Sequence, residues 1–178
     1  MEKETEILID DLRQQKPAAC QKLLTDYGPE VFRMVQRLVS QREDAEEVYQ
    51  DVFVKALRGI GTYNRQASLE TWLNRIAYNE SLNYLRRRKP NLVYMEDQTG
   101  GTDAFEAPEE TSLDEHTIAL LERALALLPP HEQAIISMFY YEDKSLADIA
   151  YITDSIPSTV GSQLSRIRKK LYRIIKTF

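Results

Sequence analysis

The sequence predicts an all-α protein of two small helical domains joined by an acidic flexible linker. Three observations carry that expectation. Every strong apolar periodicity in the 178 residues has helical spacing, with no sustained strand-type alternation. A stretch containing Gly100-Gly101, rich in acids and poor in apolar pattern, divides two periodic blocks. The composition, 43% apolar and 29% charged with six glycines and seven prolines, is that of a globular chain and excludes collagen-like or low-complexity classes.

In the first block, Leu23, Leu24, Tyr27, Val31, Phe32, Met34, Val35, Leu38 and Val39 mark one or two helices, with Gly28-Pro29 as the expected break. Ala45, Val48, Tyr49, Val52, Phe53, Ala56, Leu57 and Ile60 form the next stripe, which Gly59 and Gly61 suit as an end. Ser68, with an acid shortly after, is an N-cap for a helix carrying Leu69, Trp72, Leu73, Ile76, Ala77, Tyr84 and Leu85. That helix runs into Arg86-Arg87-Arg88-Lys89, and Pro90 stops it. The expected boundaries are 1–90 for the first domain, 91–112 for the linker and 113–178 for the second domain.

The second block opens with Ile118, Leu121, Ala124, Leu125 and Leu128, ended by Pro129-Pro130. A helix over 131–141 carries Ile135, Ile136, Met138 and Phe139, and Leu146, Ile149, Ala150 and Ile152 mark a short one. After a turn at 154–157, Val160, Leu164, Ile167, Leu171, Ile174 and Ile175 stripe a long final helix, with Ser158 or Ser155 as its cap.

Charge and cysteine count narrow the function. One cysteine, Cys20, leaves no internal disulfide and no thiolate zinc cluster. No stretch approaches the roughly 18 apolar residues of a membrane span, and the acidic N-terminus has no secretory signal pattern. The expectation is a reduced, cytoplasmic protein. The net charge of −5 hides strong asymmetry: −3 over 1–61, +4 over 62–90, −8 over 91–115, −4 over 116–154 and +6 over 155–178. Two basic segments in an acidic total point to nucleic acid, although basic residues also favour helix C-termini generally.

The short helix, turn and long basic helix near the C-terminus make a helix-turn-helix pattern. Ser158, Thr159, Gly161, Ser162, Gln163, Ser165 and Arg166 are small or hydrogen-bonding residues suited to a major groove. Arg168, Lys169, Lys170, Arg173 and Lys176 would neutralise phosphates. In the helix from 68, aromatic residues alternate with Arg75, Asn79, Ser81 and Asn83, a mixture that can receive unstacked bases. Trp72, Tyr63, Tyr78 and Tyr84 fit a packing role equally well.

Three segments resemble a known family. EDAEEVYQDVFVKAL (43–57) resembles region 2.2 of the sigma-70 family of bacterial RNA polymerase initiation factors. SLETWLNRIAYNESLNYLRRR (68–88) is similar to regions 2.3 and 2.4, and 128–171 to region 4. The linker leaves no room for a region 3 domain, as in the extracytoplasmic-function subgroup. The resemblance implies a factor that binds core RNA polymerase, directs it to −35/−10 promoters and assists melting. It implies docking on the clamp helices of the polymerase's largest subunit through Asp44, Glu47, Gln50, Asp51 and Phe53, and contact with the polymerase flap. It places −10 recognition, with one flipped non-template base, on Trp72, Arg75, Asn79, Glu80, Ser81, Asn83, Arg86, Arg87 and Arg88. It places −35 recognition on Ser158, Thr159, Ser162, Gln163, Arg166, Lys169 and Lys170. Gly161 and Gln163 stand where the family often has basic residues, so the individual base contacts stay open. Members of the subgroup are commonly held by an anti-sigma factor. The linker reads either as a polyanion in the RNA path or as a solvated tether.

RNA synthesis belongs to the polymerase, so no catalytic residue, metal, cofactor or small-molecule substrate is expected. His116 and His131 lie outside metal or triad spacing. The competing reading is a free-standing helix-turn-helix regulator that binds a palindrome as a dimer.

Overall fold

A computed structural model describes residues 2–88 and 115–178. The described residues are all-α: α1 (Glu2–Arg13), α2 (Pro17–Leu38), α3 (Arg42–Gly59), a 3-10 turn (Ile60–Thr62) and α4 (Leu69–Arg88), then α5 (Glu115–Ala126), α6 (Pro130–Tyr140), α7 (Leu146–Thr153) and α8 (Pro157–Ile175). The expected linker and the Pro90 stop lie outside the described residues.

Helices α2, α3 and α4 pack on one another and bury the expected apolar stripes, with Val35, Val52, Leu73 and Ala77 fully enclosed. Burying such an aliphatic side chain contributes about 1.5–3 kcal/mol. The Gly28-Pro29 break does not occur, and α2 runs through Pro29 as one helix. Gly28 has a reason to be there: a Cβ at that position would stand 2.6 Å from the Tyr49 hydroxyl oxygen, so the glycine lets α3 lie close to α2. Helix α1 has no counterpart among the expected elements. Its Leu8, Ile9 and Leu12 are buried, and it packs on α2 and the 3-10 turn. Arg13 donates to the Tyr63 carbonyl at 3.1 Å.

Ser68 caps α4 as expected, its Oγ accepting from the Thr71 N–H at 3.0 Å. In the second block α8 packs against α5, α6 and α7 through Val160, Leu164, Ile167 and Leu171. Neither Ser155 nor Ser158 caps α8. Ile156 is its N-cap and Pro157 opens it, because proline's fixed φ and missing N–H suit the first turn. The turn before it places Asp154 in the left-handed region at φ 57°, where its N–H bonds back to the Ala150 carbonyl. Asp tolerates that conformation better than most residues.

The two blocks touch. Helix α7 lies along α4, and α6 lies against α2 and α4. The seam is markedly polar. Lys144 is buried there, with Nζ 2.9 Å from Glu30 and 2.7 Å from Glu70. Thr71 donates to Asp148 at 3.2 Å, and Arg37 pairs with Glu142.

Candidate nucleic-acid interface

Helix α3 presents Glu47, Gln50 and Asp51 to solvent. Asp44 is largely covered by Arg88, at 3.1 Å. Phe53 is buried and meets Tyr49 edge-on, with Tyr49 in turn edge-on to Phe32, at centroid separations of 5.0 and 5.5 Å. Phe53 therefore braces the helix from inside, and the polar residues form its outer face. Beside them, Leu24, Gly28, Phe32, Glu46 and Tyr49 border an open apolar hollow of about 450 Å³. The sequence placed Leu24 and Phe32 on the apolar stripe of this helix and Gly28 at an expected break. Only the position of Leu24, exposed one turn from Gly28, hints at a surface.

The side chains expected at −10 DNA divide by depth. Asn79, Asn83, Arg86, Arg87 and Arg88 are exposed, Trp72 and Arg75 are half-buried, and Glu80 and Ser81 are buried. Glu80 accepts from Lys55 at 2.6 Å, tying α4 to α3. Ser81, fully enclosed, serves as a small residue at a helix contact. Trp72, Arg75, Asn79 and Glu80 converge with Thr62 of the α3–α4 connection on a hollow of about 380 Å³. Trp72 leans on Tyr63 at a centroid distance of 5.3 Å, and Tyr63 is pinned by its hydroxyl donating to the Ala67 carbonyl at 2.7 Å. The tryptophan thus both packs and lines the hollow.

The last lining residue, Tyr151, comes from the other block. Its ring lies 4.9 Å beneath the Arg75 guanidinium, whose Nη2 also reaches Asp154 at 3.0 Å. Nothing in the sequence pattern singled out Tyr151 or Asp154.

Helix α8 shows the plainest polar face. Ser158, Ser162, Arg166 and Lys170 are exposed along one row, with Thr159, Gln163 and Lys169 half-buried beside it. Ser162 donates to the Ser158 carbonyl at 3.1 Å, and Lys170 pairs with Glu132 at 2.9 Å. A Cβ on Gly161 would meet nothing within 4 Å, so packing does not require the glycine.

At the seam, burial alone would lower the pKa of Lys144, but the hydrogen bonds to Glu70 and Glu30 outweigh it and hold the ammonium above its ordinary value. Burial alone would raise the pKa of Glu30. The hydrogen bonds from Lys144 and Asn74 outweigh that and hold it below the ordinary carboxyl value. Among the described residues no group of three His, Cys, Asp or Glu side chains comes together as a metal site, and no helix is long and apolar enough to cross a membrane.

Comparison with known proteins matches both blocks of the chain. Residues 23–90 match the family described as Sigma-70 region 2, and residues 118–171 match Sigma-70, region 4. The ECF RNA polymerase sigma-E factor of Haemophilus influenzae is 30% identical over 173 residues, covering 92% of this chain and 91% of that one. The RNA polymerase sigma-H factor of Pseudomonas aeruginosa is 27% identical, over 95% and 92% of the two chains. Among solved structures, the sigma factor RpoE in complex with the anti-sigma factor NepR from Bartonella quintana superposes with a TM-score of 0.61 at 25% identity, covering 88% of this chain and 95% of that one. CnrH, solved with the cytosolic domain of CnrY, shares the fold with a TM-score of 0.67 at 18% identity, covering 96% of each chain. A free-standing helix-turn-helix regulator has no use for the region 2 match. With both regions present in the family's order and a relative 30% identical over nearly the whole length, the chain belongs to the sigma-70 family, in its extracytoplasmic-function subgroup, and is a promoter-specificity factor for transcription initiation by RNA polymerase.

Proposed function

We propose that three separate faces divide the work of this factor. The outer side of α3, with Glu47, Gln50 and Asp51 and with Asp44 at its rim, docks on the clamp helices of the polymerase's largest subunit. Phe53 supports it from within, and the apolar hollow of Leu24, Phe32 and Tyr49 extends the contact onto α2. Acidic residues around an apolar floor complement a basic coiled coil, which speeds and orients encounter.

Helix α4 and the connection before it take the −10 element. Trp72 and the Arg75 guanidinium supply flat surfaces for stacking, Asn79 supplies a side-chain amide at the hollow, and Arg86 to Arg88 hold phosphates. Glu80 and Ser81 position the helix from inside, and Asn83 lies on the outer face one turn beyond Asn79. Capture of an unstacked base offsets an unstacking cost of a few kcal/mol and so favours the open strand.

Helix α8 reads the −35 element with Ser158, Thr159, Ser162, Gln163 and Arg166, while Lys169 and Lys170 neutralise phosphates. The working units are 1–90 and 113–178, joined by 91–112, and the second unit also meets the polymerase flap. The chain acts in the cytoplasm, contributes no acid, base, metal or cofactor, and is a partner for an anti-sigma factor.

The observation that carries this reading is the charge of the exposed rows: the acids Glu47 and Asp51 beside Gln50 on α3, and cations at the end of α4 and along α8. Run-off transcription with core polymerase tests it. D51R is expected to weaken core binding about tenfold and to leave DNA binding by the second unit unchanged. N79A is expected to impair −10 use at unaltered core affinity. Parallel loss of both activities in D51R, or an unchanged promoter preference in N79A, removes the assignment.

A further inference from the structure

Helix α1 lies ahead of residues 23–90, the segment that matches Sigma-70 region 2, yet it braces one wall of the hollow assigned to the −10 element. It packs on the 3-10 turn. From its last turn, Arg13 donates through Nη2 to the Tyr63 carbonyl at 3.1 Å. Asp10, one turn earlier, lies 3.5 Å from Nη1 of the same guanidinium and steers it. Glu6, a further turn back, pairs with Arg65 at 3.0 Å. Positions 6, 10 and 13 share one face of a helix, and that face meets the connection between α3 and α4.

The connection needs holding. Tyr63 follows Thr62, which borders the hollow, and the Tyr63 ring leans on Trp72, which borders it too. Arg65 stands in the left-handed region at φ 61°, a conformation that costs a non-glycine residue energy and persists only where the surroundings impose it. Asn64 Oδ1 accepts from the Gln66 N–H at 3.2 Å, and the Tyr63 hydroxyl donates to the Ala67 carbonyl at 2.7 Å. Those bonds shape the segment from within. Arg13 and Glu6 fix it to a helix.

We propose that Arg13 is a positioning residue for −10 recognition. By holding the Tyr63 carbonyl it fixes Thr62 and, through the Tyr63 ring, Trp72, and so sets the shape of the hollow and the base it accepts. Glu6 assists by holding Arg65. The proposal rests on the reading of that hollow as the −10 site. Arg13 itself touches no base. A guanidinium suits the task because it stays charged and donates in a fixed plane, and a charged donor binds a carbonyl more strongly than a neutral one. A mere staple for α1 would change stability and affect every promoter alike. A positioning residue changes the ratio between promoters.

The test uses the full chain with core polymerase, on a promoter the factor transcribes and on the set that differs from it by one base across the −10 element. R13M keeps an apolar stem for packing and loses the donor. It is expected to lower discrimination between the preferred and the substituted −10 bases about fivefold to tenfold, at unchanged core affinity and unchanged −35 preference. R13K, which keeps a charged donor, is expected to recover much of that ratio. Without DNA, acrylamide quenching of Trp72, the one tryptophan in the sequence, should rise in R13M. Wild-type discrimination in a folded R13M overturns the proposal. So does a uniform loss on every promoter with the ratio intact, which leaves Arg13 as a staple of α1. Lost discrimination without a rise in quenching overturns the route through Tyr63 and Trp72. If circular dichroism shows that R13M does not fold, E6R decides, since it sets like charges against each other at an exposed pair, clear of the core. It is expected to lower discrimination about twofold to fourfold, and a wild-type ratio ends the proposal. Failure of the −10 assignment is a separate result: N79A would then leave promoter preference unchanged while quenching still rises in R13M.

Discussion

Helices α4 and α8 carry the same kind of side chains, small polar groups and arginines on one face and an apolar stripe on the other, yet they offer them differently. Helix α8 packs its stripe on α5, α6 and α7 and turns its polar row to solvent. Helix α4 is enclosed on more sides, by α2, α3, α6 and α7, and part of its polar row faces another helix. Composition marks a nucleic-acid face, while its availability depends on what the rest of the chain lays against it. A helix at the edge of a fold exposes its polar row by default; a central one exposes only what its neighbours leave.

The largest effect is expected at the open helix, α8. R166A should lower −35-dependent promoter binding by about 1–3 kcal/mol, roughly tenfold to hundredfold, with no change in radius of gyration. An expanded chain would show that α8 also helps hold the two blocks together. Acid should act next, on the covered side alone. Glu30 has its pKa held below the ordinary 4.5, so its contribution is present in full above that value and is lost as pH falls through the lowered one. Lys144, held above its ordinary 10.5, stays charged throughout this range. Titration from neutral pH should therefore expose Trp72 at acid pH before the helical circular dichroism of the blocks is lost. Simultaneous loss would mean that the seam and the blocks share one transition.

G161A sharpens the contrast with a smaller effect. Because its Cβ enters open space, alanine should stabilise α8 by about 1 kcal/mol, seen as a higher Tm of the second block. A fall in −35 use despite that gain would show that DNA needs the bare backbone there. The smallest expected change is S68A, which removes the cap of α4 and costs about 1 kcal/mol, read by thermal melting.

Most of the helices were legible because their stripes are long. Helices α3, α4 and α8 each repeat the apolar spacing over four turns or more. Helix α1 escaped because its buried set is only Leu8, Ile9 and Leu12, in the second half of an otherwise largely charged stretch. Gly28-Pro29 misled because the local signals of both residues favour a break, and the close approach of Tyr49, invisible locally, overrode them. The cap of α8 misled for a related reason: proline at the first turn removes an orphan donor that a serine would otherwise satisfy. Of the site residues, those on exposed rows were readable from the pattern. Tyr151 and Asp154 were not, since their partner Arg75 is 76 and 79 positions away.

By itself the sequence determined the helical class, the two blocks, their order and the alternation of acidic and basic segments. These follow from periodicity and local charge, which act over a few residues. Only the tertiary structure decided that Ser81 faces inward, that Leu24 and Phe32 border a surface hollow, and that α7 lies on α4. The pair of Lys144 with Glu30 spans 114 positions, and Lys144 draws its acidic neighbours from three separate elements. Contacts of that kind exist only once packing brings distant charges together and removes water from between them.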